Sequence, residues 1–314
     1  MFWNRSAADF YDLADATIRA IKQYDPTLVV GTCGVALPDN PPLPQPNPFS
    51  FGLIAELGRR GTPMDFFSFH GYTSNARWYA TTATALRAAL DAAWPSRRVK
   101  VHISEFFPCV LNVEQDTAYG AASFAGSLVE MVHAGVALAT LYPLCSSGAN
   151  LTDGRGWGLF DMESHPGVAS WRPLTYAFAG FGELAQTAGD RVLPVALSPA
   201  PAAAAGFAVL AGRSEGGEGG SDGGGGAGAA VVKVLIASQS SNHTQVSVVL
   251  GGLGGGAAAS AVPWAFRVMV IDNKHSVPGQ VTGGVVRPTA PGVVNVTFPL
   301  VAPAVAMVSM TALN

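Results

Sequence analysis

Residues 1–190 alternate between two kinds of segment, and few folds accommodate that alternation. Short apolar runs lie at 28–31, 65–70, 99–106 and 136–144, and stretches of helical periodicity lie at 6–24, 51–60, 81–94, 115–133 and 173–188. Apolar residues recurring every three to four positions mark one face of a helix, whereas short unbroken runs bounded by turn residues suit strands covered on both faces. Strands joined through helices pair in parallel, by right-handed crossovers. The first helix shows the expected signals. Ser6 stands at its N-cap and Asp9 in its first turn, Phe10, Leu13, Ala14, Ile18 and Ile21 form the apolar stripe, and Asp25-Pro26 ends it.

From residue 191 onward helical periodicity disappears. Val-rich runs at 231–237, 245–250, 265–271 and 293–298 are separated by turn residues, which predicts an antiparallel β-sandwich. The expected fold class is therefore α/β over 1–190 followed by an all-β domain over 191–314. Two Gly-rich pieces, 212–230 and 251–260, are expected to form flexible hairpin loops. They are not phosphate cradles, because no G-x-x-x-x-G-K-[ST] or G-x-G-x-x-G stands between a strand and a helix.

Composition narrows the function classes. Charged residues are 12% of the 314, about half the ~25% usual in soluble domains, and apolar residues are 49%. That apolar share excludes a wholly disordered chain. Eighteen Lys and Arg against 21 Asp and Glu, with no basic block, argue against nucleic acid as a partner. The first residues lack the basic start and apolar run of a signal peptide. Sequons at Asn4, Asn150, Asn242 and Asn295 exceed the chance expectation and lean toward a secreted or endomembrane-lumen protein. Of the three cysteines, Cys109 and Cys145 either form one disulfide or are two thiols. The apolar stretch 293–313 is broken by Pro299, Pro303 and Asn295 and alternates in 294–298, which predicts two antiparallel strands and no membrane anchor.

The candidate chemistry lies at strand ends. Glu105 stands near the C-terminal end of the third strand, the end at which α/β barrels build their active sites. Simple alternation places it on one face with Val101 and Ile103. The preceding strand ends in His70-Gly71-Tyr72, whose imidazole and phenol share parity and can face one cavity. Beside a carboxylate, they can keep it ionised and orient it as a nucleophile. On the fourth strand Tyr142 can line a sugar subsite, and Trp157 in the following loop is a similar candidate, although both suit ordinary packing. No metal is expected: the histidines at 70, 102, 133, 165, 243 and 275 have no partner at ligand spacing. G-x-S-x-G is absent as well.

These pieces together resemble the glycoside hydrolases with (β/α)8 barrels and two catalytic glutamates, and among them family 39, the β-xylosidases and α-L-iduronidases. D-F-F-S-F-H-G-Y at 65–72 is similar to the sixth barrel strand of that family and H-I-S-E-F-F at 102–107 to the seventh. G-L-F-D at 158–161 and R-P-L-T-Y-A-F at 172–178 resemble the lead into the last barrel helix, and I-D-N-K-H-S at 271–276 a motif of its sandwich. The resemblance implies the C-terminal half of a TIM barrel (strands five to eight) followed by a β-sandwich. It also implies retaining hydrolysis of an oligosaccharide or glycoside without a cofactor, with Glu105 as nucleophile, Tyr72 as its hydrogen-bond donor, and His70 and Tyr142 at the sugar.

The family's general acid/base belongs to a W-N-E-P motif at the end of the fourth barrel strand. Here Met1-Phe2-Trp3 is similar to the F-W just past that motif, and no acidic residue matches the glutamate. The expectation is a version of such an enzyme that lacks the first four strands and the acid, and that is inactive. A non-catalytic carbohydrate-binding or pseudo-enzyme protein is the alternative, and another family of the same clan a third reading.

Overall fold

The computed structural model describes residues 5–36, 48–108, 115–144, 158–161, 170–188, 192–198, 206–214, 229–242, 244–252, 262–290 and 292–313. The chain divides into two compact units, Met1–Val110 with Glu130–Pro143, and Leu111–Val129 with Leu144–Asn314. Cys109, Cys145, Asn4, Asn150, Trp157, most of the first Gly-rich piece and all of the second but Gly251-Gly252 lie outside the described residues.

The first unit contains α1 (Ala7–Tyr24), β1 (Val35–Ala36), α2 (Pro48–Arg59), β2 (Phe66–Tyr72), α3 (Ala76–Ala93) and β3 (Lys100–Phe107). After α4 (Ala118–His133) comes β4 (Leu138–Leu141). The four strands form one sheet in the order β1-β2-β3-β4, every pair parallel. Ser6 caps α1 as anticipated. Its hydroxyl accepts from the Asp9 amide at 3.1 Å, and the Asp9 carboxylate accepts from the Ser6 amide at 3.2 Å, forming a capping box.

One strand differs from expectation. Residues 28–31 are not a strand; Gly31 makes a single bridge to Phe66, and regular pairing begins only at Val35 opposite Phe69. Side chains take over the intervening ladder positions. The Val30 amide donates to the Asp65 carboxylate at 2.8 Å, and the Ser68 amide donates to the Thr32 hydroxyl at 2.9 Å. Local side-chain bonds of this kind compete with a regular ladder.

One face of the sheet is covered by α3. Phe67, Phe69, Val101, Ile103 and Phe106 are buried, Phe69 meets Trp78 edge-on, and Tyr79 meets Phe106 edge-on. The Tyr79 hydroxyl donates to the Gly71 carbonyl at 3.1 Å, which satisfies it in the core. Burying each of these side chains contributes about 1.5–3 kcal/mol. The opposite face presents Ser68, His70, Tyr72, His102, Ser104 and Glu105.

The second unit adds the short pair β5 (Phe160–Asp161) and β6 (Ser170–Trp171), then α5 (Pro173–Ala188) and β7 (Val192–Leu193). The remaining strands are β8 (Phe207–Ser214), β9 (Val231–Ser238), β10 (Gln245–Leu250), β11 (Trp264–Asp272), β12 (His275–Val286), β13 (Val294–Pro299) and β14 (Ala304–Ala312). An antiparallel sheet runs β12-β11-β14-β9-β8-β7, and β10 pairs with β13 in a second. Val209, Val234, Val268, Ala306 and Val308 of the large sheet share one buried cluster with Leu250, Val294, Val296 and Phe298 of the small one. Helix α5 packs on the other face of the large sheet. A Cβ on Gly180 would overlap Met307 Sδ and lie 3.9 Å from Leu235 Cδ1, so the glycine lets the helix approach closely. Lys233 at this edge pairs with Glu183 of α5 at 3.1 Å. Covered on both faces, β9 carries the continuous apolar run that its sequence shows.

The tail at 293–313 does form two strands, and β13 alternates buried and exposed as its sequence suggested. They do not pair with each other: β13 joins β10, while β14 inserts between β9 and β11. Gly212–Ser214, expected in a loop, extend β8 and pair with Val231–Lys233. No helix among the described residues is long and apolar enough to cross a membrane.

Candidate active site

At the C-terminal end of β2 and β3 the chain brings three of the anticipated residues together. The Tyr72 hydroxyl donates to Glu105 Oε1, and His70 Nδ1 lies 3.7 Å from Glu105 Oε2. Both carboxylate oxygens thus face a group able to hold negative charge in place. The Glu105 and His70 side chains are 31% and 29% exposed, open enough for a ligand to reach and sheltered enough to be oriented. Tyr142 follows β4 on the neighbouring position of the sheet. Its amide donates to the Phe106 carbonyl at 3.0 Å, its ring is half exposed, and it makes no hydrogen bond to Glu105.

The way Glu105 reaches this face corrects the parity argument. Strict alternation grouped it with Val101 and Ile103, yet those two are buried under α3 and Glu105 is not. The register explains why: Phe69 pairs with Ile103, but His70 pairs with Glu105, so Ser104 is an extra residue on β3. Such a β-bulge flips every later side chain to the other face. Glu105 therefore lies beside His70 and Tyr72 because of the bulge.

A shell of small residues, none of them singled out from sequence, supports the bulge. Buried Ser68 donates its hydroxyl to Ser104 Oγ at 2.6 Å, and the Ser68 amide donates to Thr32. Gly34 lies against the cluster from the β1 side. A Cβ there would overlap His70 Nε2 and sit 2.7 Å from Ser104 Oγ. On the same face His102 stacks on Phe66 at 4.2 Å, and burial, with the charge of Lys100, pushes its pKa down. The only sequence signal for this shell was the run of small residues between 31 and 34 and the serines at matching strand positions.

At the opposite, N-terminal end of the sheet Asp65 is a structural anchor. It pairs with Lys22 at 2.6 Å and Arg97 at 3.2 Å while accepting from Val30. Burial pushes its carboxyl up, but the Lys22 and Val30 hydrogen bonds and the two positive charges outweigh this and hold it below the usual range. Among the described residues no group of three or more His, Cys, Asp or Glu could hold a metal.

No family profile matches the chain. No curated protein matches it either. Solved structures do. A glucosidase from Croceicoccus marinus superposes with a TM-score of 0.69 at 20% identity, over 99% of this chain and 66% of its own. A GH39 enzyme from Xanthomonas axonopodis pv. citri gives 0.66 at 15% identity, again over 99% and 66%. A family 51 α-L-arabinofuranosidase from Bifidobacterium longum gives 0.60 at 14% identity, over 98% of this chain and 64% of its own. The chain shares the fold of these glycoside hydrolases, and it spans about two thirds of their length.

Proposed function

We propose that this chain carries the nucleophile side of a retaining glycoside hydrolase site related to family 39. Residues 1–190 would form the C-terminal half of a barrel and 191–314 a β-sandwich. The observation that carries the reading is the Tyr72–Glu105 hydrogen bond beside His70, on the strand ends where such folds keep their chemistry. The motif resemblance and the shared fold support it.

In this reading Glu105 attacks the anomeric carbon of a bound glycoside, the bond to the leaving oxygen breaks, and a glycosyl ester forms on Glu105. Tyr72 holds the carboxylate aimed through its hydrogen bond. His70 and Tyr142 contact the sugar. Retention requires a second carboxyl roughly 5–5.5 Å from the first. The sequence has no counterpart of the family's acid/base glutamate, and such a group contributes ~10²–10⁴-fold. Ordinary aryl glycosides are therefore expected to hydrolyse no faster than in buffer.

A leaving group that needs no proton separates the two halves of the mechanism. Dinitrophenyl fluoroglycosides of xylose, glucose and arabinose should add one sugar mass to the intact protein, mapped to Glu105 and absent in Glu105→Gln. No adduct with any of the three, or an adduct that survives Glu105→Gln, overturns the assignment. Saturable binding of the same sugars without an adduct would favour a carbohydrate-binding protein instead.

A further inference from the structure

We propose that Gly34 is a positioning residue for Glu105, acting through the imidazole of His70 and the bulge residue Ser104. The inference deepens the glycosidase reading and rests on it for its functional meaning, but its geometry stands by itself. Glu105 owes its place to one extra residue in β3, and an extra residue is held only by what packs on it. Two contacts hold Ser104. Buried Ser68 donates to its hydroxyl, and Gly34 lies near enough that a Cβ there would come within 2.7 Å of the same oxygen. Gly34 also approaches the Nε2 edge of His70 so closely that a Cβ would overlap it, which limits the ring on the side of that backbone.

Gly34 is not there for a left-handed turn. Among the described residues the glycines with positive φ are at 61, 135, 158, 206, 252, 284 and 292, and Gly34 is not one of them. A side chain is forbidden by its neighbours, not by its own backbone. That makes Gly34→Ala a small perturbation: one methyl group, whose nearest neighbours are the His70 ring and the Ser104 hydroxyl. The His70 ring takes the closest approach, and its Nδ1 stands 3.7 Å from the carboxylate that Tyr72 meets, so moving the ring changes the surroundings of that carboxylate.

The readout is the ¹³Cζ resonance of Tyr72, assigned by its disappearance in Tyr72→Phe and calibrated by its shift in Glu105→Gln. Tyr79, on the far face of the same sheet, is the internal control. Gly34→Ala should shift the Tyr72 resonance in the direction of Glu105→Gln and leave that of Tyr79 in place. Ser104→Ala, which removes only the hydroxyl pinned by Ser68, should produce the same shift and decides the question if Gly34→Ala does not fold. An unmoved Tyr72 resonance in the folded variants, or equal shifts at Tyr72 and Tyr79, overturns the proposal. No substrate is involved, so a failure of the sugar-adduct experiment does not bear on this result, and a failure here leaves the adduct result standing.

Discussion

Asp65→Asn separates the anchored end of the parallel sheet from its reactive end, and its cost can be worked from the contacts. The amide that replaces the carboxylate keeps the volume and an acceptor for the Val30 amide. What it removes is charge. The Lys22 pair is 2.6 Å long with side chains 16% and 28% exposed, and the Arg97 pair is 3.2 Å long with Arg97 36% exposed. A charge-assisted hydrogen bond contributes about 1.5–3 kcal/mol when sheltered, and an exposed pair about 0–1 kcal/mol. Both cations keep other acceptors: Lys22 donates to the Leu28 carbonyl at 2.6 Å, and Arg97 donates to the Met64 carbonyl. Neither is stranded, so the loss is set near 1.5–2 kcal/mol, about ten- to thirty-fold in an opening equilibrium.

Amide hydrogen exchange at Val30 and Lys100 measures it, because both amides donate to Asp65, the first to its carboxylate and the second to its carbonyl. Comparing variant and parent at one pH cancels the intrinsic exchange rate. The sign of the pH dependence is determined. The native carboxyl titrates below the ordinary aspartate value, so its contribution is complete above about pH 5 and is lost as pH falls through the lowered native value. The gap between Asp65→Asn and the parent should therefore be full near neutral pH and close as the pH falls through the lowered native value. A gap that persists unchanged at the acid end, or one below about two-fold at neutral pH, would refute an electrostatic role.

Two further outcomes follow from the second unit. Phe298→Ala deletes a ring that is 1% exposed within the cluster shared by the two antiparallel sheets, and should cost about 3–5 kcal/mol, read as an earlier denaturant midpoint. Arg172, 3% exposed, donates to Gln115 Oε1 and lies 3.4 Å from Asp116 Oδ1. Arg172→Met should destabilise this unit by about 1.5–3 kcal/mol, the range for lost hydrogen bonds of a charged group, while Val30 exchange in the first unit changes less than exchange at Leu159.

Much of the architecture was legible because each strand and helix is specified locally. The periodicity of residues 7–24, the cap at Ser6 and the run at 173–188 need no distant contact to be recognised, and helix α5 begins and ends where its pattern does. The alternation in Val294–Pro299 predicted a half-buried strand because one face meets a core and the other water. The strand pairings were a different matter. Which strand accepts β13 and which accepts β14 depends on chain closure over long separations, from Leu250 to Val294 in one case and from Val231 to Thr311 in the other, and nothing in the two segments encodes it.

At the candidate site the division is sharper. The sequence by itself determined that a glutamate, a histidine and a tyrosine stand near the ends of adjacent parallel strands, because apolar patterning places those ends. Only the tertiary structure decided that they meet. Alternation carries Glu105 to the buried face with Ile103, and the bulge at Ser104 returns it to the face of His70 and Tyr72. A bulge leaves little local trace, since it is stabilised by what packs against it: the hydroxyl of Ser68, thirty-six positions away, and the bare backbone of Gly34. Period-two patterning reports which residues are buried, whereas register is a property of two strands held together.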